Sequence, residues 1–359
     1  MRVSPSEITD FHIIKQSVDA RRKNHLKVVY SVSVSLRHDE PDKVTRLADC
    51  NISYLPAFEE LETIAGDQEL RTPPLIVGGG PAGMFAAYLL SKYGYHPVLI
   101  ERGGDVDSRS QAVDDFWKNR RFSPENNVQF GEGGAGTFSD GKLTTRINDR
   151  RCREVLRLFK SFGAPEEILW QARPHIGTDL LKAVMKHMRE EKMCIRDREQ
   201  SLDILYLNQS MQEFELYCSV DAVLCLLDGL NYLTKDGDLE QTFALVENYL
   251  EPGGLFIFDL NTKYKMEYIL AGNVFCGSGD NSFYTWESVF DPEAELAEYT
   301  LNLFVREQTL YRRFTEYHYQ RAYGKRKVLS ALKRAGLEFL AEYDDLTFTS
   351  PSRLSLIHL

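Results

Sequence analysis

The chain has 359 residues, enough for two domains and a sizeable core at the usual ~100 to 200 residues per domain. With 43% apolar, 27% charged and 11% aromatic residues, its composition excludes disordered, collagen-like and coiled-coil chains. Its 43 basic residues are outnumbered by 53 acidic ones, and the longest basic run is Arg21-Arg22-Lys23, which argues against nucleic acid as a partner.

Six cysteines (Cys50, Cys152, Cys194, Cys218, Cys225, Cys276) are scattered without a Cys-x-x-Cys pair or histidines at zinc spacing, so no metal site is expected. Reduced thiols and the lack of an N-terminal apolar run predict a cytoplasmic protein. The longest apolar stretch, Val220 to Leu227, is strand-sized and far below the ~20 residues of a membrane span, so no membrane association is expected.

Residues 1–72 predict a small α+β appendage: a charged, helix-compatible stretch ends near Asn24, and alternation from Leu26 to Val34 marks a strand. Arg71-Thr72-Pro73-Pro74 breaks the pattern, and a second domain begins at residue 73. Its first strand, Leu75-Ile76-Val77, runs into Gly78-Gly79-Gly80-Pro81-Ala82-Gly83, a G-x-G-x-x-G motif. An apolar helix from Ala82 to Tyr93 follows, closed by Gly94, and Pro97 to Ile100 is a second strand ending in Glu101. Gly78 permits a tight turn, Gly80 lets the backbone approach a pyrophosphate, and Gly83 allows close strand-helix packing. The helix N-terminus favours an anion, and Glu101, 18 residues beyond Gly83, can accept hydrogen bonds from a ribose. These glycines alone do not separate FAD from NAD.

A second glycine-rich loop spans Val128 to Leu143 and includes Gly133, Gly134 and Gly136; such small residues let a backbone pass close to a flat or charged ligand. Leu75 to Gly83, Glu101-Arg102-Gly103 and Gln129 to Leu143 together resemble bacterial FAD-dependent dehydrogenases of the two-dinucleotide-binding-domain type. The resemblance extends to about Glu191. It implies FAD held by Gly78, Gly80, Pro81, Ala82 and Gly83 at the pyrophosphate and by Glu101 and Arg102 at the ribose. Gly133, Gly134 and Gly136 would lie near the flavin, and NADH or NADPH would be the reductant. Two packing helices follow, one on Cys152, Val155, Leu156 and Phe159, the other on Leu181, Val184, Met185 and Met188. His175, at a helix start, reads as a structural residue.

The character of the chain changes after residue 191. Leu202 to Leu207 and Val220 to Leu227 read as strands, a helix carries Leu239, Phe243, Val246 and Leu250, and Leu255 to Phe258 is strand again after a Pro252-Gly253-Gly254 turn. This is α/β alternation. The segment from Asp221 to Tyr232, with Leu250 to Gly254, resembles the middle strands of class I S-adenosylmethionine-dependent methyltransferases, over about 204–347. The resemblance implies S-adenosylmethionine, with Met211 on adenine and Asp228 and Asn231 facing cofactor or acceptor. Ser210 stands where related proteins often carry an aspartate. The glycine-rich first loop and acidic ribose ligand of such a domain are missing upstream of Ile204, so the surviving strands are expected to lack sheet partners.

Met193 to Arg198 is the translation of a transposon-end sequence used in DNA library preparation, and Leu354 to His358 is that of its reverse complement. The expected organisation is therefore 1–72 appendage, 73–191 incomplete FAD-binding Rossmann-like domain, 192–200 adapter-like junction, 201–349 incomplete methyltransferase domain and 350–359 adapter-like tail. The functional expectation is a chimera whose retained property is FAD binding, with no assignable catalytic acid or base and unknown small-molecule substrates. The alternatives are a bifunctional flavin oxidoreductase and methyltransferase, and a non-enzymatic nucleotide-binding scaffold.

Overall fold

The computed structural model describes the chain apart from residues 1–3, 20, 22–25, 39–43, 45–50, 56–65, 67–68, 139–140, 144–148, 150, 172–173, 191, 196–197, 202, 279–281, 345–346, 352–356 and 359. Cys50, the Arg22-Lys23 part of the basic run, the centre of the adapter-like junction and most of the adapter-like tail lie outside the described residues, as do the side chains of 191–202. The chain divides into two compact units, one of residues 1–67 and 141–184, the other of residues 68–140 and 185–359.

In the first unit, β1 (Ile8–Asp19) and β2 (Lys27–Leu36) form an antiparallel hairpin. The stretch expected to be helical is therefore strand over its described part, Ile8–Asp19. Ile8, Thr9, Ile13, Ile14 and Val18 are β-branched, disfavour helix, and find cross-strand partners such as Val32 opposite Ile13. The Gln16 amide donates to Trp170 O at 2.7 Å, and Tyr30 meets the Trp170 ring edge-on at 6.4 Å. His175 bridges Lys142 through the backbone, beside the Leu143 N to Pro174 O bond of 2.9 Å.

The second unit is built on a five-stranded parallel sheet. Its strands are β3 (Leu75–Val77), β4 (Val98–Glu101), β7 (Leu205–Asn208), β8 (Val220–Cys225) and β9 (Leu250–Phe258), in the order β7-β4-β3-β8-β9. Between β4 and β7 the junction itself forms a short hairpin, β5 (Lys192–Ile195) with β6 (Arg198–Ser201). The strands after residue 200 do not lack partners: β8 pairs along β3, Leu75 opposite Val223 and Val77 opposite Cys225, and β7 pairs along β4. The backbone ladder of a parallel pair needs little more than apolar strands: β3, β4 and β8 are apolar and largely buried, while the edge strands β7 and β9 pair with them and leave Leu205, Leu255 and Ile257 exposed.

Side chains alternate between the two faces of β3. Leu75 and Val77 join Val98, Ile100, Val223 and Cys225 under α5 (Asp238–Tyr249) and α6 (Lys325–Ala335). Ile76 and Leu99 turn the other way, onto α1 (Pro81–Lys92) through Ala86, Ala87 and Leu90. Burying each such Leu, Ile or Val contributes about 1.5 to 3 kcal/mol. Pro81 opens α1 at the position where a missing N–H costs nothing, and Gly94, at φ +86°, closes it. Asp105 caps α2 (Val106–Asn119), its carboxylate accepting from Ser108 N at 2.8 Å. Pro252-Gly253-Gly254, expected to be a turn, lies within β9, where Gly253 at φ +85° accompanies an irregular register against β8.

An antiparallel sheet of β10 (Val274–Ser278), β11 (Ser282–Asp291), β12 (Leu296–Glu307) and β13 (Leu310–Arg321) completes the second unit. Buried residues alternate along β13 as Phe314, Glu316, His318 and Gln320. The two packing helices expected in the middle of the chain are α3 (Arg151–Ser161) and α4 (Thr178–Glu190).

Candidate functional site

In an open parallel sheet, ligands bind beyond the carboxyl ends of the strands, where the strand order reverses. Here that point lies between β3 and β8. Gly78 leaves β3 at φ +99°, a left-handed backbone that favours glycine, and its amide donates to Ile100 O at 2.8 Å. A Cβ on Gly83 would stand 1.9 Å from Gly78 O, so only glycine lets α1 pack this close to the turn. A Cβ on Gly80 would meet nothing within 4 Å, because that face of the turn is open.

Glu101 ends β4 with its carboxylate held in place: Oε2 accepts from Gly79 N at 2.6 Å and Oε1 from Gly103 N at 2.7 Å. Two backbone donors fix the carboxylate beside the glycine turn and leave lone pairs for a vicinal diol.

The second glycine-rich loop closes on the first. Gly133 N donates to Gly79 O at 2.8 Å, and Gly134 lies so near Pro81 that a Cβ would approach its Cδ to 2.9 Å. Arg109 organises this loop from α2. Its guanidinium is fully buried and donates to Asn127 O, Val128 O, Glu132 O and Gly134 O, all at 2.7 to 2.8 Å, with the Phe138 ring 4.6 Å away. Burial lowers the Arg109 pKa to about 10, opposed by the negative charges of Glu101, Glu316 and Glu132. Burial also raises the Glu132 pKa, against the Val106 amide donating at 2.7 Å and the Arg189 guanidinium at 3.1 Å.

A cavity of about 190 Å³ opens between these elements. Gly78, Gly80, Ala82, Gly83, Glu101 and Arg102 line one side, and Gly134 contributes from the second loop. The opposite side comes from beyond residue 200: Met211 with its neighbours Ser210 and Gln212 after β7, and Leu227, Gly229 and Tyr232 after β8. Gln129 Nε2 donates to Tyr232 Oη at 2.8 Å, and the Phe130 ring meets Tyr232 edge-on at 5.0 Å. Residues from both halves of the sequence thus surround one space.

Of the other expected site residues, Pro81, Gly133 and Gly136 are not among the residues lining this cavity, nor are Asp228 and Asn231. Asn231 is fully buried and braces the chain, donating to Asn261 O and Arg321 O and accepting from Asn261 N at 2.8 Å. Asp228 accepts from Asn261 Nδ2 at 2.8 Å and from Gln320 Nε2. Burial raises its pKa to about 6, opposed by the Gln320 bond and reinforced by the nearby Asp259 carboxylate. Leu227, which lines the cavity, and Asp228, which the network holds, both adopt left-handed backbone, at φ 60° and 50°, a costly conformation for non-glycine residues.

Arg109 is not picked out by motif, and Gln129, Phe130 and Tyr232 fall within the two motif segments without being given a role there. A signal for Arg109 exists: it shares one buried face of α2 with Val106, Val113 and Phe116, an arginine on an apolar stripe. Among the described residues no three His, Cys, Asp or Glu side chains are grouped to hold a metal, and no helix is long and apolar enough to cross a membrane.

Residues 76–123 match the family described as NAD(P)-binding Rossmann-like domain, and residues 1–35 match a domain of unknown function (DUF8436). An uncharacterized protein of Clostridium beijerinckii is 50% identical over 192 residues, covering 53% of this chain and 36% of that protein. "Putative methyltransferase YqeM" of Bacillus subtilis (strain 168) is 30% identical over 156 residues, covering 43% of this chain and 63% of that protein. A Geobacillus sp. (strain WCH70) protein also described as a putative methyltransferase is 31% identical over 157 residues, covering 44% of this chain and 64% of that protein. The chain thus spans about a third of the first relative and under two thirds of the others. A solved S-adenosylmethionine-dependent methyltransferase from Clostridium acetobutylicum is 27% identical, with a TM-score of 0.42 over 51% of this chain and 70% of that chain. The chain therefore joins a NAD(P)-binding Rossmann-like region to a C-terminal region homologous to methyltransferases.

Proposed function

We propose that the second unit binds S-adenosylmethionine in the composite cavity and passes its methyl group to a small molecule. One observation carries this reading: the glycine turn and acidic strand end missing from the methyltransferase-related half are supplied, in the same sheet, by Gly78 to Gly83 and Glu101. The residues fit the ligand. Glu101 meets the ribose diol, the open face at Gly80 admits the amino-acid end, and Met211 offers a polarizable thioether to the adenine. The bound ligand supplies the electrophilic methyl group. The protein's part is to shield the site from water and to orient the acceptor in line with the carbon-sulfur bond.

Titration with S-adenosylhomocysteine tests this. Glu101→Ala is expected to weaken binding about 10- to 100-fold, the worth of a charge-assisted hydrogen bond or two. Unchanged affinity, with the variant melting as wild type does, sinks the reading.

A second reading concerns origin, and the adapter-like peptide at 193–198 favours it: the reading frame is a chimera of two genes. Amplification of source DNA between the codons of Glu132 and Asp259 is then expected to give no product, each half extending instead into its own longer gene. A product that keeps the junction codons overturns the chimera.

A further inference from the structure

We infer that the crevice at the sheet's edge is one adenosine site among the described residues, which S-adenosyl ligands and adenine dinucleotides occupy one at a time. The inference rests on the reading above and adds a second ligand class to the same cavity. A chain joining a dinucleotide-binding region to a methyltransferase-related one would be expected to carry two cofactor sites. The sheet allows one. Order β7-β4-β3-β8-β9 has a single reversal, between β3 and β8, and so a single crevice. The groups that would recognise either ligand stand around that crevice. Among the described residues Glu101 is the only carboxylate lining it, so it serves whichever ribose is present. Met211 and Gly229 line the opposite wall, so an adenosine bound beside Glu101 faces the Met211 side chain whichever ligand carries it.

Volume makes the two ligands compete. The cavity of about 190 Å³ is small against the ~300 Å³ at which ligand pockets usually start, and both ligands would place their adenosine in it. The ligands differ in what leaves the cavity past Gly80. An S-adenosyl ligand sends out an amino acid, and a dinucleotide sends out a pyrophosphate, which the N-terminus of the twelve-residue α1 favours electrostatically. On this inference the two cofactors are not held at once, and any use of both by one chain proceeds by exchange at the same crevice.

The test is competition on the full chain, with S-adenosylhomocysteine as reporter and NADH and FAD as competitors. With a dinucleotide at ten times its own Kd, the apparent Kd for S-adenosylhomocysteine is expected to rise about 11-fold, the mass-action result for one shared site. Glu101→Ala is expected to weaken both ligand classes together. An unchanged Kd at saturating dinucleotide overturns the shared site and leaves the methyl-transfer reading standing. So does failure of both dinucleotides to bind. If the dinucleotides bind and S-adenosylhomocysteine does not, the methyl-transfer reading falls and the inference falls with it.

Discussion

Replacing Arg109 with methionine is expected to lower the melting temperature by roughly 10 °C and to abolish measurable ligand binding, while Arg109→Lys gives an intermediate loss. Methionine fills much of the same volume and carries no donor. It would leave the carbonyls of Asn127, Val128, Glu132 and Gly134 buried without the partner they now have. Each buried acceptor so stranded costs about 1 to 3 kcal/mol. The loss is not additive, because the loop relaxes, but about 4 kcal/mol is a fair lower figure, and each kcal/mol moves the melting temperature of a unit this size by about 2 to 4 °C. Glu132 and Glu316, both buried, would also lose a nearby positive charge. Lysine keeps that charge and loses the planar fork that reaches several carbonyls at once. Differential scanning fluorimetry with and without S-adenosylhomocysteine makes the comparison; a methionine variant melting within about 2 °C of wild type contradicts the role given to Arg109.

Residues 201–359 produced alone are expected to aggregate or to remain partly unfolded, while the full chain folds. Without β3, the ladder positions of Val223, Leu224 and Cys225 face solvent, and Val223 and Cys225, now at 0% and 1% exposure, lose the side chains of Leu75 and Val77. β7 loses its only partner, β4. Loss of both β3 and β4 turns a five-stranded sheet into one pair, β8 with β9, and one orphan, β7, with apolar unpaired edges that recruit other chains. The latch at the base of β8 also goes: Asp221 accepts from the Arg71 amide at 2.5 Å and from the Thr72 amide at 2.6 Å. Size-exclusion chromatography and amide-proton dispersion in NMR spectra distinguish the outcomes. A monodisperse, well-dispersed 201–359 fragment would show that the methyltransferase-related half supports its own sheet.

What the sequence disclosed and what it withheld divide along the range of the interactions. Gly78, Gly80, Gly83 and Glu101 are legible because a strand, a turn and a helix must fit together within about thirty residues, and that local geometry restricts residue type. The pairing of Val77 with Cys225 leaves no comparable trace. It joins positions far apart in sequence through backbone groups that every residue has, so two fragments read separately look incomplete although their strands complete one another. Ile8 to Asp19 misled because its charged and polar residues suit a helix, whereas its β-branched ones are satisfied only by the cross-strand partners of β2. Asp228 and Asn231 were recognisable as strand-end polar residues, but their partners Asn261, Gln320 and Arg321 lie on other elements, and only the fold shows them turned into a bracing network.

The β3–β8 ladder has a wider consequence. Because its hydrogen bonds run between main chains and its side chains need only be apolar and of ordinary bulk, a parallel sheet acts as a common socket that does not check the provenance of the strand plugged into it. A strand, turn and helix shaped for one nucleotide can therefore dock beside strands shaped for another and still deliver its glycine turn to the shared edge. In such a sheet a strand-helix unit can be exchanged around the shared crevice with no new side chain required at the seam.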